Sequence, residues 1–136
     1  MPQLKNYRIM ISHSWNYSNQ YNKVVSWLNN ADYFSWFNHS VSCDNPLDVS
    51  SKRELKERLT NKMIPCSAVV VVAGMYATYS EWIDYEIDEA IRMGKPIIGI
   101  RPWGSERTPQ KIVDNADILV GWNAASVVTA IRQYSL

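Results

Sequence analysis

The sequence has little of what marks membrane-spanning, secreted or disulfide-stabilised proteins. No apolar run approaches the ~20 residues that a helix needs to cross a bilayer, and Met1 to Asn6 lack the apolar core of a secretory signal peptide. We therefore expect a cytoplasmic protein without a membrane partner. Two cysteines are present, Cys43 in a predicted loop and Cys66 before a predicted strand at the opposite edge of the sheet, so we expect free thiols.

Glycine, net charge and histidine are also scarce. The five glycines are spread along the chain and form neither Gly-x-Gly-x-x-Gly nor a Walker loop, which argues against a Rossmann dehydrogenase or a P-loop enzyme. A formal net charge of +1 argues against a nucleic-acid partner, because such partners favour a strongly basic surface. Two histidines and two cysteines at unrelated spacings predict no metal site.

What is present is an alternation of strand and helix patterns along all 136 residues, without a repeat or a linker, which predicts one domain, 1–136. Strands are predicted at 7–12, 33–38, 67–73, 96–100 and 117–120. Helices are predicted at about 21–28, 51–63, 78–93, 108–114 and 124–134. Capping boxes, Ser51 to Glu54 and Thr78 to Glu81, are predicted to open the second and third helices, and Gly94 is predicted to end the third.

This alternation predicts an α/β fold, a flavodoxin-like three-layer sandwich around a five-stranded parallel sheet. The order 2-1-3-4-5 is expected because it is the commonest for five such strands, and the sequence alone does not fix it. In such sheets ligands bind beyond the carboxyl ends of the strands, at the point where the strand order reverses. Here that point lies between the first and third strands, so the loops at 12–19 and 74–80 are expected to border a crevice. The third helix leaves from the second of these loops.

The third helix carries a candidate functional carboxylate, Glu86. The predicted core-facing stripe of this helix is Ile83, Ile87, Ala90 and Ile91. Beside that stripe, Trp82, Glu86 and Glu89 follow at i, i+4 and i+7, which predicts Glu86 in the second turn, leaning toward the crevice. A carboxylate held partly out of water beside an aromatic ring is typical of a functional acid, and the alternative is a solvated glutamate on the helix surface.

The stretch Trp82-Ile83-Asp84-Tyr85-Glu86 resembles the Trp-x-x-x-Glu motif of TIR domains, whose glutamate is catalytic in the members that cleave NAD. More closely, the chain resembles, from about residue 5 to 134, the TIR-like family that includes ThsB of the bacterial Thoeris antiphage systems. The matching stretches are Arg8 to Ser14, Val69 to Gly74, Ser80 to Ile87, Lys95 to Ile100 and the final helix.

The resemblance implies that NAD is a substrate rather than a cofactor, and that the nicotinamide–ribose bond is broken with Glu86 as the catalytic residue. The ADP-ribose part then becomes a cyclic or conjugated signal nucleotide that activates a separate effector protein. Breaking this bond builds positive charge on the ribose, which a fixed carboxylate stabilises. Self-association through TIR–TIR contacts is also implied. The alternative function is a non-catalytic TIR-type interaction module.

The end of the first strand supplies candidate substrate-binding residues, Ser12, His13 and Ser14. They are predicted to face Glu86 across the crevice, where hydroxyls and an imidazole suit contacts with phosphate or ribose. For His13 the alternative is a loop histidine without a role. The following stretch, Trp15 to Ser18, lacks the acidic residue that TIR domains often carry there.

Three further candidate substrate-binding residues come from predicted loops, and Trp82 on the third helix is another candidate. The loop after the second strand corresponds by position to a TIR loop that lines the pocket, which adds Asp44 and Asn45. Trp103, after the fourth strand, is a candidate for stacking on a base. Ordinary surface or core roles remain the alternatives for these loop residues.

Two other classes with this strand order fit the sequence less well. A two-component receiver domain needs acidic residues after the first strand and an aspartate after the third, where this chain has Ser12-His13 and Ala73-Gly74. A flavodoxin-type FMN site needs a phosphate loop after the first strand, which Trp15 and Tyr17 would crowd, although the serines in this loop leave it open.

Overall fold

The computed structural model describes residues 6–12, 19–39, 52–73, 76–102 and 107–136, and for Ser12, Asn19, Lys52, Leu55 and residues 76–82 it describes the backbone alone. The elements in chain order are β1 (Asn6–Ser12), α1 (Asn19–Asn30), β2 (Ser35–Asn38), α2 (Lys52–Met63), β3 (Ala68–Val72), α3 (Tyr76–Met93), β4 (Ile97–Ile100), α4 (Gln110–Asn115), β5 (Ile118–Val120) and α5 (Ala124–Tyr134).

The five strands form one parallel sheet in the order β2-β1-β3-β4-β5, as predicted. α1 packs against α5, and α3 packs between α2 and α4, so two layers of helices accompany the sheet. The predicted α/β flavodoxin-like sandwich is therefore confirmed.

The core follows from the apolar composition of the central strands. All five residues of β3 and all four of β4 are buried, as expected of parallel strands covered on both faces. One row across the sheet pairs Ile11 with Val70 and Val70 with Ile98, and none of the three side chains has exposed surface. These β-branched side chains fill the space between the helix layers.

Close packing also explains Gly99 in β4. A Cβ atom added at Gly99 would lie 2.7 Å from Cδ2 of Leu119 and 3.1 Å from Cγ2 of Ile112. The second of these residues belongs to α4 and has no exposed surface. Glycine therefore permits the close approach of α4 to the sheet.

Two predicted boundaries are wrong. The helix α3 begins at Tyr76, so the predicted capping box lies inside the helix and does not open it. Nothing in Tyr76 or Ala77 opposes helix, and alanine has the highest helix propensity. The strand β2 begins at Ser35 because Tyr33 adopts a left-handed φ of 54°, and Arg132 of α5 donates a hydrogen bond of 2.7 Å to the carbonyl of Asp32.

The predicted helix ends are confirmed at two other places. Gly94 follows α3 with φ of 70°, and the amide of Lys95 donates to the carbonyl of Ala90 at 2.8 Å, which is the hydrogen bond of a Schellman motif. The helix α5 spans the predicted residues, and the side chain of Asn123 caps it by accepting a 2.8 Å hydrogen bond from the amide of Ser126.

Candidate active site

The predicted crevice lies at the carboxyl ends of β1 and β3. Ser12, the last residue of β1, pairs in register with Val71 of β3, so these two strands end at the same edge of the sheet. On the other side of β1 lies β2, so the strand order reverses here. Ligands of doubly wound sheets bind at such a point. The first helix to leave β3 from this edge is α3, which carries Glu86.

Glu86 lies deeper in the protein than predicted. It follows the start of α3 by ten residues, which places it in the third turn and about 15 Å along the helix axis from Tyr76. Its exposed fraction is 2%, and it is the one charged residue in the buried class among the side chains that the structure describes. The expected partial burial is therefore an underestimate.

The burial of Glu86 changes the core-facing stripe of α3. Ile83, Ile87 and Ala90 are buried as predicted, but Ile91 is 51% exposed, which contradicts its predicted place in the core. The buried residues at 83, 86, 87 and 90 follow i, i+3, i+4 and i+7, so they form one helix face. Glu86 therefore occupies a position on the core side of α3 that the sequence pattern assigned to a neighbouring stripe.

Two aspartates lie near Glu86 in the sequence of α3, on the other face of the helix. Asp84 lies two residues before it, and Oδ1 of Asp84 is buried and accepts no hydrogen bond from the residues that the structure describes. Asp88 lies two residues after it and accepts a 2.7 Å hydrogen bond from Nζ of Lys111 on α4. The pKa of Lys111 is raised, first by this hydrogen bond and further by the charges of both aspartates.

On the side facing α2, polar groups connect the two helices. Oγ1 of Thr60 lies 2.7 Å from the hydroxyl of Tyr85 and 3.1 Å from Oε2 of Glu89. Arg92 donates to both carboxylate oxygens of Glu89. These hydrogen bonds, above all the one from Arg92, hold the pKa of Glu89 below its usual range, against a smaller opposing effect of burial. The sequence did not reveal this network, because it depends on how α2 lies against α3.

A groove of about 610 Å³ opens between the same two helices. It is lined by Arg53, Lys56, Glu57, Thr60, Asn61 and Tyr85. The groove was not predicted, and Glu86 does not line it. Nζ of Lys56 lies 5.4 Å from the centre of the Tyr85 ring, a cation–π arrangement that holds the ring at the border of the groove.

His39 follows β2 and was not among the predicted site residues. Its amide donates a 2.8 Å hydrogen bond to the carbonyl of Ile9, which continues the sheet by one residue. Burial lowers the pKa of the imidazole, and the positive charges of Arg8 and Lys62 lower it further. Both effects favour the neutral imidazole.

The remaining predicted site residues stay predictions. The backbone of Trp82 lies in α3, one turn before Glu86, and the backbone of Ser12 ends β1, but their side chains are outside the description. The others lie outside the described residues, namely His13, Ser14, Asp44, Asn45 and Trp103. The structure thus brings together the strand ends and the helix that support the site, and it describes the side chain of Glu86 alone.

The part of the chain that the structure describes contains neither a metal-binding cluster nor a membrane-spanning helix. No group of three or more histidine, cysteine, aspartate or glutamate side chains within it has an arrangement that could hold a metal ion. No helix within it is long and apolar enough to cross a membrane.

The sheet order, together with a buried glutamate on the helix that follows the third strand, matches the TIR-like class that the sequence resembles. The family model of the TIR-like domain of the Thoeris protein ThsB matches residues 10–107, and the chain belongs to this family. The match includes the end of β1 from Met10 onward, the whole of α3 and Glu86.

Among solved structures, the chain is similar to a 2-deoxyribosyltransferase from the psychrotolerant bacterium Bacillus psychrosaccharolyticus. The two chains are 15% identical and superpose with a TM-score of 0.62, over 88% of this chain and 89% of the other. At this identity the likeness concerns the fold alone. A comparison with curated proteins gives no significant match.

Proposed function

We propose that this protein is an NAD-cleaving enzyme of Thoeris antiphage defence that breaks the nicotinamide–ribose bond. One observation carries the proposal, the nearly complete burial of Glu86 on α3 in a member of the ThsB TIR-like family. Burying a carboxylate costs free energy, because a charged group loses its hydration. Buried carboxylates are therefore concentrated at sites where their charge has a use.

The chemistry of NAD cleavage gives such a charge a use. When the bond between the ribose and nicotinamide breaks, its electron pair leaves with nicotinamide, which becomes neutral, and positive charge remains on the ribose. A carboxylate fixed in a surrounding of low dielectric stabilises this charge more strongly than water does. Glu86 is proposed to supply that carboxylate.

The acceptor that attacks the ribose then determines the product. Water gives ADP-ribose, a hydroxyl or ring nitrogen of the same molecule gives a cyclic isomer, and a second small molecule gives a conjugate. A cyclic or conjugated product is proposed to act as the signal nucleotide that activates a separate effector. NAD is the substrate in this scheme, and no cofactor is required.

Substrate binding is proposed at the edge formed by β1 and β3. The proposed contacts are those predicted from the sequence, Ser12, His13, Ser14, Asp44, Asn45, Trp82 and Trp103. The name of the similar structure describes the transfer of a 2-deoxyribosyl group, so this fold is compatible with chemistry on a sugar. Self-association through TIR–TIR contacts is proposed to complete the site, and a cytoplasmic location gives access to NAD.

The test is product analysis by liquid chromatography and mass spectrometry after incubation of concentrated protein with NAD. We expect nicotinamide release from the wild-type protein and a loss of about a hundredfold or more in Glu86→Gln, as when a charge-stabilising group is removed from an active site. The matched control is Glu57→Gln, which makes the same change at an exposed glutamate on α2 and should leave the rate unchanged. The mass of the co-product distinguishes hydrolysis, cyclisation and conjugation.

Equal release from wild-type and Glu86→Gln protein would contradict the proposal, provided that circular dichroism shows both to be folded. Absence of nicotinamide release from the purified protein calls for the same assay in lysate of phage-infected cells that express it. If release is absent there as well, the enzyme proposal fails and the interaction module is favoured.

A further inference from the structure

In the hydrogen bonds between α2 and α3, the chemistry of the groups shows which atoms donate and which accept. The carboxylate of Glu89 is ionised beside Arg92 and can only accept hydrogen bonds. The single hydroxyl hydrogen of Thr60 is therefore donated to Oε2 of Glu89, at 3.1 Å. Oγ1 of Thr60 then accepts from the Tyr85 hydroxyl at 2.7 Å, and the single hydrogen of that hydroxyl is shared with the carbonyl of Lys56 at 3.2 Å. The result is a chain of hydrogen bonds from Tyr85 through Thr60 to Glu89.

This chain holds α3 at two points that flank Glu86. Tyr85 directly precedes Glu86, and Glu89 follows it by three residues, so one hydroxyl of α2 contacts α3 on both sides of the buried carboxylate. The Tyr85 hydroxyl also lies 3.2 Å from the carbonyl of Lys56, one turn earlier on α2. The groups are half-buried, and the Glu89 side chain is 15% exposed, so water competes with them only in part.

The apolar face of α3 fixes the rotation of this helix about its axis less firmly. Ile83, Ile87 and Ala90 bury the helix against the core, but apolar contacts are non-directional and permit small rotations about the helix axis. A rotation would displace the carboxylate of Glu86 from the reacting ribose, and hydrogen bonds with fixed donors and acceptors resist it. Displacement by ~1 Å is enough to slow an enzyme-bound reaction about a hundredfold.

We propose that Thr60, Tyr85 and Glu89 are positioning residues that set the rotation of α3 and thereby the location of the Glu86 carboxylate. The inference rests on the proposed function of Glu86 in NAD cleavage. It adds to that function a role for α2, which contributes the shared hydroxyl without contacting the substrate.

The experiment compares wild-type protein with Thr60→Val, which removes the hydroxyl with little change of shape, and with Thr60→Ser, which keeps it. Thr129→Val makes the same change at an exposed threonine of α5 and serves as the matched control. Two quantities are measured for each variant. The first is kcat and KM for nicotinamide release, and the second is the chemical shift of the ¹³C-labelled side-chain carboxyl of Glu86, assigned by its loss in Glu86→Gln.

We expect Thr60→Val to lower kcat about tenfold to a hundredfold, with KM changed less than about twofold, because the loss concerns the transition state. The carboxyl signal of Glu86 should move in the same variant. Thr60→Ser should restore both quantities, and Thr129→Val should change neither. A structural role alone would lower the stability without moving kcat in the folded protein.

An unmoved Glu86 signal in folded Thr60→Val would overturn the inference, whatever happens to kcat. A wild-type protein that releases no nicotinamide, either purified or in lysate of phage-infected cells, would refute the proposed function, and the carboxyl signal would then decide the positioning role by itself. If Thr60→Val fails to fold, Tyr85→Phe breaks the same chain of hydrogen bonds, with Tyr134→Phe on α5 as its control, and the same outcomes apply.

Discussion

The two layers of helices that accompany the sheet are held by different kinds of contact. The layer of α1 and α5 is mainly apolar, with Val24, Leu28 and Ile131 fully buried. The ring of Trp27 in α1 meets the ring of Trp122, which precedes α5, edge to face at 4.7 Å. In the other layer, hydrogen bonds and ion pairs run from α2 to α3 and from α3 to α4. The layer with the polar contacts is the one that carries Glu86.

The two helix layers therefore contribute differently to the free energy of folding and to the orientation of their helices. Burial of apolar side chains supplies most of the free energy of folding, but it fixes orientation weakly. Hydrogen bonds add little net stability each, but they select one arrangement of donors and acceptors. We therefore expect substitutions in the α1–α5 layer to affect unfolding more than activity, and substitutions between α2 and α3 to do the reverse.

The largest expected effect on stability is that of Leu28→Ala in α1. Leu28 has no exposed surface, so truncation leaves a cavity and should lower the free energy of unfolding by about 2–5 kcal/mol. Urea unfolding followed by circular dichroism measures this, with Thr60→Val as the comparison, which should lose about 1 kcal/mol. A loss for Leu28→Ala no larger than that of Thr60→Val would remove the distinction between the layers.

Alkaline pH should weaken the protein at the end of α2. Burial raises the pKa of the Cys66 thiol from 9.0 to about 12, against opposing effects of Lys95, Arg8 and Lys62. Because the folded state keeps the proton more tightly, this stabilisation is complete below pH 9.0 and is lost as the pH rises toward about 12. Between these limits, stability should fall by at most ~1.4 kcal/mol per pH unit more steeply in wild-type protein than in Cys66→Ala. Parallel curves for the two proteins would contradict the assignment.

Acid should also lower the stability of the protein, through Glu89 on α3, and by less than alkali does. The pKa of Glu89 is lowered in the folded state, mainly by its hydrogen bond to Arg92, so its contribution is present above the usual glutamate pKa of 4.5. It is lost as the pH falls from that value through the lowered one. Urea unfolding at a series of pH values should show a smaller acid-induced loss in Glu89→Gln than in wild-type protein. An identical pH dependence would show that the pair with Arg92 contributes nothing to folding.

The smallest expected effect is that of Lys111→Gln in α4. The pair with Asp88 is partly exposed, with 33% and 61% of the two side chains accessible, so its loss should change stability by less than about 1 kcal/mol. The salt dependence of unfolding provides the measurement, because screening by added salt should make wild type and variant alike. A loss above 2 kcal/mol, about twice that limit, would show that this pair contributes more than exposed ion pairs usually do.

Much of the fold could be predicted because its signals are local and regular. The valine run of β3 indicated a central parallel strand, Gly94 indicated the end of α3, and the alternation of elements indicated a parallel sheet. The strand order was expected only as the commonest for five parallel strands, because the sequence does not fix it. The start of α3 could not be predicted from its capping box. A box is a preference of four residues, and the preceding Tyr76 and Ala77 are equally able to join the helix.

The candidate site was less predictable, because it depends on contacts between distant parts of the chain. Periodicity placed Glu86 beside the core stripe and Ile91 within it, whereas the packing of α3 against its neighbours buries the first and exposes the second. A hydrophobicity scale assigns Ile91 to the core and Glu86 to the surface. The structure reverses both, and the buried residue is the one proposed to be functional. No pattern in the sequence relates Thr60 to Tyr85.

The close packing at Gly99 limits which residues this position of the protein can accept. A methyl group there would meet Leu119 and Ile112, so any larger residue at position 99 would press against α4 and push it away from the sheet. Lys111, on α4, is bonded to Asp88 on α3. The absence of a side chain at Gly99 thus sets how near α4 can come to the sheet, and α4 in turn holds Asp88 of the helix that bears Glu86.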